Sequence, residues 1–208
     1  MTDTNDPTAP VQPAPSAVPA LPVGSNTINP FLFTEDAATL ISFLIEVFDA
    51  SEVMEARTTD TDGLVLHSEL RIGDSVLVVA DRKPNWPFTP AFTQVYVDDV
   101  DAVLTRAKAL GAEIVTNPTE FWGDTLSRFA DQQGNLWWVQ RHVVSGDAVW
   151  DAVLPEGADA TPVWSTSDES EEDERGGAET WESFTTPELE YIHSTLMEAM
   201  ARLRDPRS

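Results

Sequence analysis

The chain has 208 residues, with 12 Lys plus Arg against 36 Asp plus Glu, a formal net charge of −24 and no cysteine. Disulfide scaffolds, thiolate metal sites and cysteine nucleophiles are thereby excluded, and so strong a negative charge repels phosphate backbones and anionic lipid surfaces, so neither nucleic acid nor membrane is an expected partner. The length suits one ordinary domain with tails, and the opening MTDTND has neither the basic region nor the apolar core of a signal peptide, which leads to the expectation of a cytoplasmic protein.

Taken in chain order, residues 1–26 contain TAPVQPAPSAVPALP, whose closely spaced prolines remove backbone donors and favour extended conformers; a disordered Pro/Ala-rich arm is expected. Residues 27–145 read as two copies of one module, at about 27–81 and 91–145. In the first, TINPFLF has the character of a strand, Thr34 that of a helix cap, and Leu40, Phe43, Leu44, Val47 and Phe48 form a helical apolar face. In the second, FTQVYV is the strand, Asp98 or Asp99 the cap, and Val100, Val103, Leu104, Ala107 and Leu110 the helical face, stopped by Gly111. Each helix is followed by a short strand, EVMEAR or AEIVTN, and then by a hairpin around a glycine turn, LVLHSELRIGDSVLVVAD or TLSRFADQQGNLWWVQRH. Two βαβββ modules of α+β class follow, each too small to bury its sheet alone, so that pairing closes one core and leaves a cup-shaped sheet surface facing a shared cavity.

Beyond this, residues 146–185 include SDESEEDERGGAE, an acidic linker expected to be largely disordered because it cannot bury enough apolar surface to offset ordering entropy. Residues 186–205 then read as an amphipathic helix, with Thr186 as cap, Pro187 first, Glu188 near the positive end, and Leu189, Ile192, Leu196, Met200 and Leu203 as its stripe. Such a stripe docks on its own domain, on a dimer mate, or on a basic protein partner drawn by the acidic tether.

INPFLF, LHSELRIGDSVLVVAD, VYVDDVDAVLTRAKALGAEIV and FWGD followed by DQQGNLWWV resemble the vicinal oxygen chelate superfamily of glyoxalase, bleomycin-resistance and extradiol-dioxygenase proteins, in particular its PhnB-like branch. The sequence departs at DQQG, where the branch usually has a proline and an aromatic before the glycine. The resemblance implies the paired-module fold, a homodimer, and in the metal enzymes one divalent ion held by His and Glu side chains. Here those positions fall on Asn29, on Leu77 or Val78 depending on register, on Phe92 and on Trp138, none of which replaces a His or carboxylate. The resemblance therefore implies the fold and argues against the usual metal, and no cofactor is expected.

Chemistry remains available elsewhere. His67, Glu69 and Arg71 alternate on one strand face, which puts an imidazole beside a carboxylate as an acid/base pair or, less favoured, as ligands of a relocated divalent metal in a lyase, isomerase or dioxygenase-like enzyme; a half-solvated sheet face reads the same way. His142 shares the alternation of Trp138 and Gln140 and reads as an edge histidine, and His193 lies beside the apolar stripe of the last helix. The aromatic residues crowd the second module: if Phe92 and Trp138 face the cavity, as the resemblance implies for their positions, alternation adds Gln94, Tyr96 and Gln140, and Trp122 lies nearby in sequence, giving an aromatic cup with a few hydrogen-bonding groups for a planar or hydrophobic small molecule. Ordinary core filling is the competing explanation.

Overall fold

The computed structural model describes Leu21 and residues 24–121, 123–142 and 186–207. Most of the arm expected at residues 1–26, the acidic linker at 146–185 and Trp122 lie outside the described residues. The first module runs β1 (Phe31–Thr34), α1 (Ala37–Phe48), β2 (Ser51–Thr59), β3 (Val65–Ile72) and β4 (Ser75–Asp81); the second runs β5 (Phe92–Tyr96), α2 (Val100–Ala109), β6 (Glu113–Phe121), β7 (Asp124–Ala130) and β8 (Leu136–His142). The strands form two four-stranded sheets, ordered β1-β4-β3-β2 and β5-β8-β7-β6, each with one parallel pair and two antiparallel pairs. No helix among the described residues is long and apolar enough to cross a membrane.

The two helices start alike. The side chains of Asp36 and Asp99 accept the backbone N–H of Thr39 and Ala102, each at 2.9 Å, satisfying a donor that the first helical turn leaves without an intrahelical partner. This corrects the expected cap at Thr34. That residue still belongs to β1, paired with Asp81, and its buried hydroxyl donates to Gln133 Oε1 at 3.0 Å, so it cannot turn to the helix. Asp81 ties the module together instead: one carboxylate oxygen accepts Ala37 N at 2.7 Å and the other Val65 N at 2.6 Å. The first strand is also shorter than TINPFLF suggests, because Asn26 and Asn29 close a turn on each other, Asn29 Nδ2 donating to Asn26 O at 2.8 Å and Asn26 N to Asn29 Oδ1 at 3.1 Å.

The modules share one apolar core. The face of α1 reaches across to the second sheet, with Phe43 and Phe48 packed 5.8 and 6.0 Å from Phe129, and Phe48 5.3 Å from Trp137. Arg106 of α2 donates from Nε and Nη2 to Val47 O, placing a cation at the negative end of α1. Leu110, expected on the apolar face of α2, is its C-cap and is exposed.

Helix α3 (Pro187–Arg202) starts at Thr186, whose hydroxyl accepts Leu189 N at 3.3 Å. It lies on β6 of its own chain: Thr195 and Thr116 hydroxyls meet at 2.8 Å, and the Tyr191 hydroxyl accepts Asn117 N at 3.0 Å. Ile192 is its one buried side chain. Past the helix, Arg82 grips Asp205 with both terminal nitrogens, at 2.7 and 2.5 Å. That two-pronged bond, followed by a backbone N–H bond from Arg207, holds the Asp205 carboxyl at about 2, below its ordinary 3.8. A depressed acid pKa contributes stability that is present above the ordinary value and is lost as pH falls through the folded one. Amide-exchange protection of α3, corrected for intrinsic rates, is therefore expected to hold at pH 5 and to drop between about pH 4 and 2; Asp205→Asn removes that part of the change.

Candidate functional site

The second sheet has one face in the core and one open. Trp137 and Val139 point inward and are fully buried, so alternation and the β5–β8 register put Phe92, Gln94, Tyr96, Trp138 and Gln140 on the opposite, open face. Their side chains meet there. The Phe92 and Trp138 rings are edge to face at 6.2 Å, and Gln94 Nε2 donates to the Tyr96 hydroxyl at 3.1 Å and to Gln140 Oε1. Phe92 is 49% and Tyr96 60% exposed, so these rings do not fill the core, whereas Trp137, beside Trp138 in sequence, does. An aromatic pair next to a linked row of amides and a phenol suits a flat ligand with polar edges.

The family's metal positions become definite in this geometry. Val78 rather than Leu77 lies on the open face of the first sheet, in register with Phe31 and Glu69, while Leu77 packs in the core. Asn29 is engaged in its turn with Asn26. One occupied amide, one aliphatic side chain and two aromatic rings supply none of the imidazole, carboxylate or thiolate donors that hold a divalent transition-metal ion at such a site.

His67, Glu69 and Arg71 lie on the open face of the first sheet, apart from the aromatic group on the second. His67 Nε2 is 3.8 Å from Glu69 Oε1, and Nδ1 is 3.1 Å from the carbonyl of Ala56. A carbonyl only accepts, so the bond makes Nδ1 the protonated nitrogen and leaves Nε2, in the neutral ring, as a base facing the carboxylate. Phe31 packs edge-on against this imidazole at 6.0 Å, and Arg71 is turned to the carbonyl of Gly24 at 2.8 Å. His142 pairs with Asp124 at 2.6 Å at the exposed end of β8, and His193 is exposed on α3.

Sequence reading passed over Arg128. A bulge in β6 sets two residues against one on β7, so Ile114 pairs with Phe129 on the core side and Thr116 with Arg128 on the open side. Arg128 is only 4% exposed. Its guanidinium lies 4.9 Å over the Trp138 ring, and Nη1 donates to Thr116 Oγ1 at 3.3 Å and to Ile192 O of α3 at 2.8 Å. Among the described residues Nε is buried without a hydrogen-bond partner. Burial alone pulls its pKa to about 10. The one signal for it in the sequence is an arginine at the centre of TLSRFA, amid residues that a buried strand would carry.

Two βαβββ modules sharing one core, each with an open sheet face, define the class of fold. Residues 26–139 match the family model of the Glyoxalase/Bleomycin resistance protein/Dioxygenase superfamily, and the chain belongs to that superfamily. It is 33% identical over 122 residues to an uncharacterized protein of Mycobacterium bovis, covering 53% of this chain and 79% of the relative. An uncharacterized protein of Mycobacterium tuberculosis matches at the same identity over 71% of its length. Among solved structures it is similar to TioX from Micromonospora sp. ML1 (24% identity, 58% of this chain and 98% of that one, TM-score 0.46). It is likewise similar to FosX, a fosfomycin resistance protein from Listeria monocytogenes complexed with Mn(II) and sulfate (18% identity, 58% and 94%, TM-score 0.43).

Proposed function

We propose that this protein is a metal-free, small-molecule-binding member of the superfamily, of the PhnB-like branch, that sequesters or senses an aromatic or hydrophobic metabolite. The observation that carries this reading is the Phe92–Trp138 pair: two positions where the metal enzymes of the family place ligands hold rings packed edge to face instead, beside the Gln94, Tyr96 and Gln140 row. The open-face exposure of Phe31, Phe92 and Tyr96 further supports a homodimer, in which a second chain would cover apolar surface. The test is elemental analysis of protein purified without a metal-scavenging tag, followed by aromatic ligand screening read by tryptophan fluorescence. Metal far below one equivalent, with saturable quenching by a neutral aromatic, is the expected result. Near-stoichiometric metal overturns the metal-free reading.

A second reading is favoured by one observation, the 3.8 Å approach of His67 Nε2 to Glu69 with Nδ1 tied to Ala56 O. A base oriented in this way serves an isomerase or lyase. On that reading His67→Ala removes turnover by at least about 100-fold while shifting Tm by no more than a few degrees, since the ring is part-exposed. Comparable turnover in the variant, measured on any substrate found by screening, eliminates the pair as catalytic.

A further inference from the structure

Among the described residues two arginines are almost wholly buried, Arg82 at 3% and Arg128 at 4% exposure. Their surroundings differ. Arg82 is neutralised by the two oxygens of Asp205, whereas among the described residues Arg128 hydrogen-bonds only to a hydroxyl and a main-chain carbonyl, both neutral, and its Nε has no hydrogen-bond partner. Carboxylates outnumber cations threefold in this chain. Even so, among the described residues none pairs with Arg128, while Arg57, Arg82, Arg106, Arg202 and Arg207 each have one. A guanidinium offers five donors in a flat fork matched to a carboxylate, and a buried one without a counter-charge is an unusual thing for a fold to retain.

The cover over it is shallow. Helix α3 buries one side chain, Ile192, leaves Met197 and Met200 exposed, and holds Arg128 through the Ile192 carbonyl. On the other side the Trp138 ring keeps the guanidinium flat, next to Phe92 and the amide row. An anion reaching Nε and Nη1 would have to replace that carbonyl.

We propose that Arg128 recognises a carboxylate on a flat aromatic ligand, and that α3 caps this site in the ligand-free protein and gives way when the anion binds. This rests on the reading of the open face of the second sheet as a ligand site and narrows its ligand to aromatic acids. Cation and carboxylate supply the charge-assisted pair, and the exchange replaces a neutral acceptor by a charged one.

The test is calorimetric titration of the full chain with benzoate, its neutral isostere benzamide, and indole, at constant ionic strength. Benzoate is expected to bind about tenfold or more tightly than benzamide, a charged hydrogen-bond pair against a neutral one. The preference disappears in Arg128→Gln and shrinks in Arg128→Lys, which keeps the charge but loses the fork. Ile192→Ala, which loosens α3, tightens benzoate severalfold, and saturating benzoate lowers amide-exchange protection across residues 187–202. Equal affinity for benzoate and benzamide in the unmodified chain overturns the proposal without any variant, as does unchanged protection of α3 under saturating benzoate. Indole separates the two failures: indole bound with no preference for benzoate overturns the anion assignment and leaves the aromatic site standing, whereas none of the three bound overturns both.

Discussion

Phe129→Ala is expected to destabilise the whole domain by about 4 kcal/mol, from the range of 3–5 found when a buried Phe is truncated. Phe129 is fully buried and is where the modules are joined: it touches Phe43 and Phe48 of the first module's helix and stacks on Trp137 of its own sheet. The cavity left by the ring opens between the two halves, where neither can collapse into it alone. The loss is measured by urea denaturation, with tryptophan fluorescence and far-ultraviolet circular dichroism followed together. Coincident transitions at a lower midpoint are expected, since one core serves both modules. A separate early transition, or a loss below about 1 kcal/mol, would show that the modules hold themselves up individually.

Trp138→Ala has its large effect on binding instead. Trp138 is half-buried on the open face, with one side on Phe92 and the other under Arg128. Truncating a central tryptophan of a contact surface costs at least about 2 kcal/mol of affinity, which is roughly 30-fold. A neutral probe such as indole is therefore expected to bind about 30-fold more weakly, while Tm falls much less than in Phe129→Ala. Titration calorimetry on both variants checks the contrast. Unchanged indole affinity in Trp138→Ala would remove this face as the ligand site.

Trp137 and Trp138 show how far the sequence was readable. Alternation says that adjacent strand residues face opposite ways, and it placed Phe92, Gln94, Tyr96, Trp138 and Gln140 together; which face was core followed only once Trp137 was seen against Phe48 and Phe129. Leu77 and Val78 posed the same question, settled by the pairing of Val78 with Phe31 and Glu69. Thr34 was misread as a cap because its residue type suits one; the long-range bond to Gln133 and the pairing with Asp81 keep it in the strand. Arg128 was invisible for a related reason. Its burial depends on the β6 bulge that turns Thr116 toward it and on a helix from the far end of the chain lying across both.

By itself, the sequence determined what repeats locally: two βαβββ modules, the apolar helix faces, the hairpins at Gly73 and Gly134, and non-ligand residues at the family's metal positions. These follow from spacings of two to four residues, which backbone geometry imposes on any chain. The tertiary structure alone decided that α1 cements the second sheet, that α3 lies on β6 of its own chain, and that one arginine is buried beneath it with no counter-charge among the described residues. Each of those depends on contacts between residues far apart in sequence, where a one-residue bulge reverses the face a side chain presents and no local pattern records the choice.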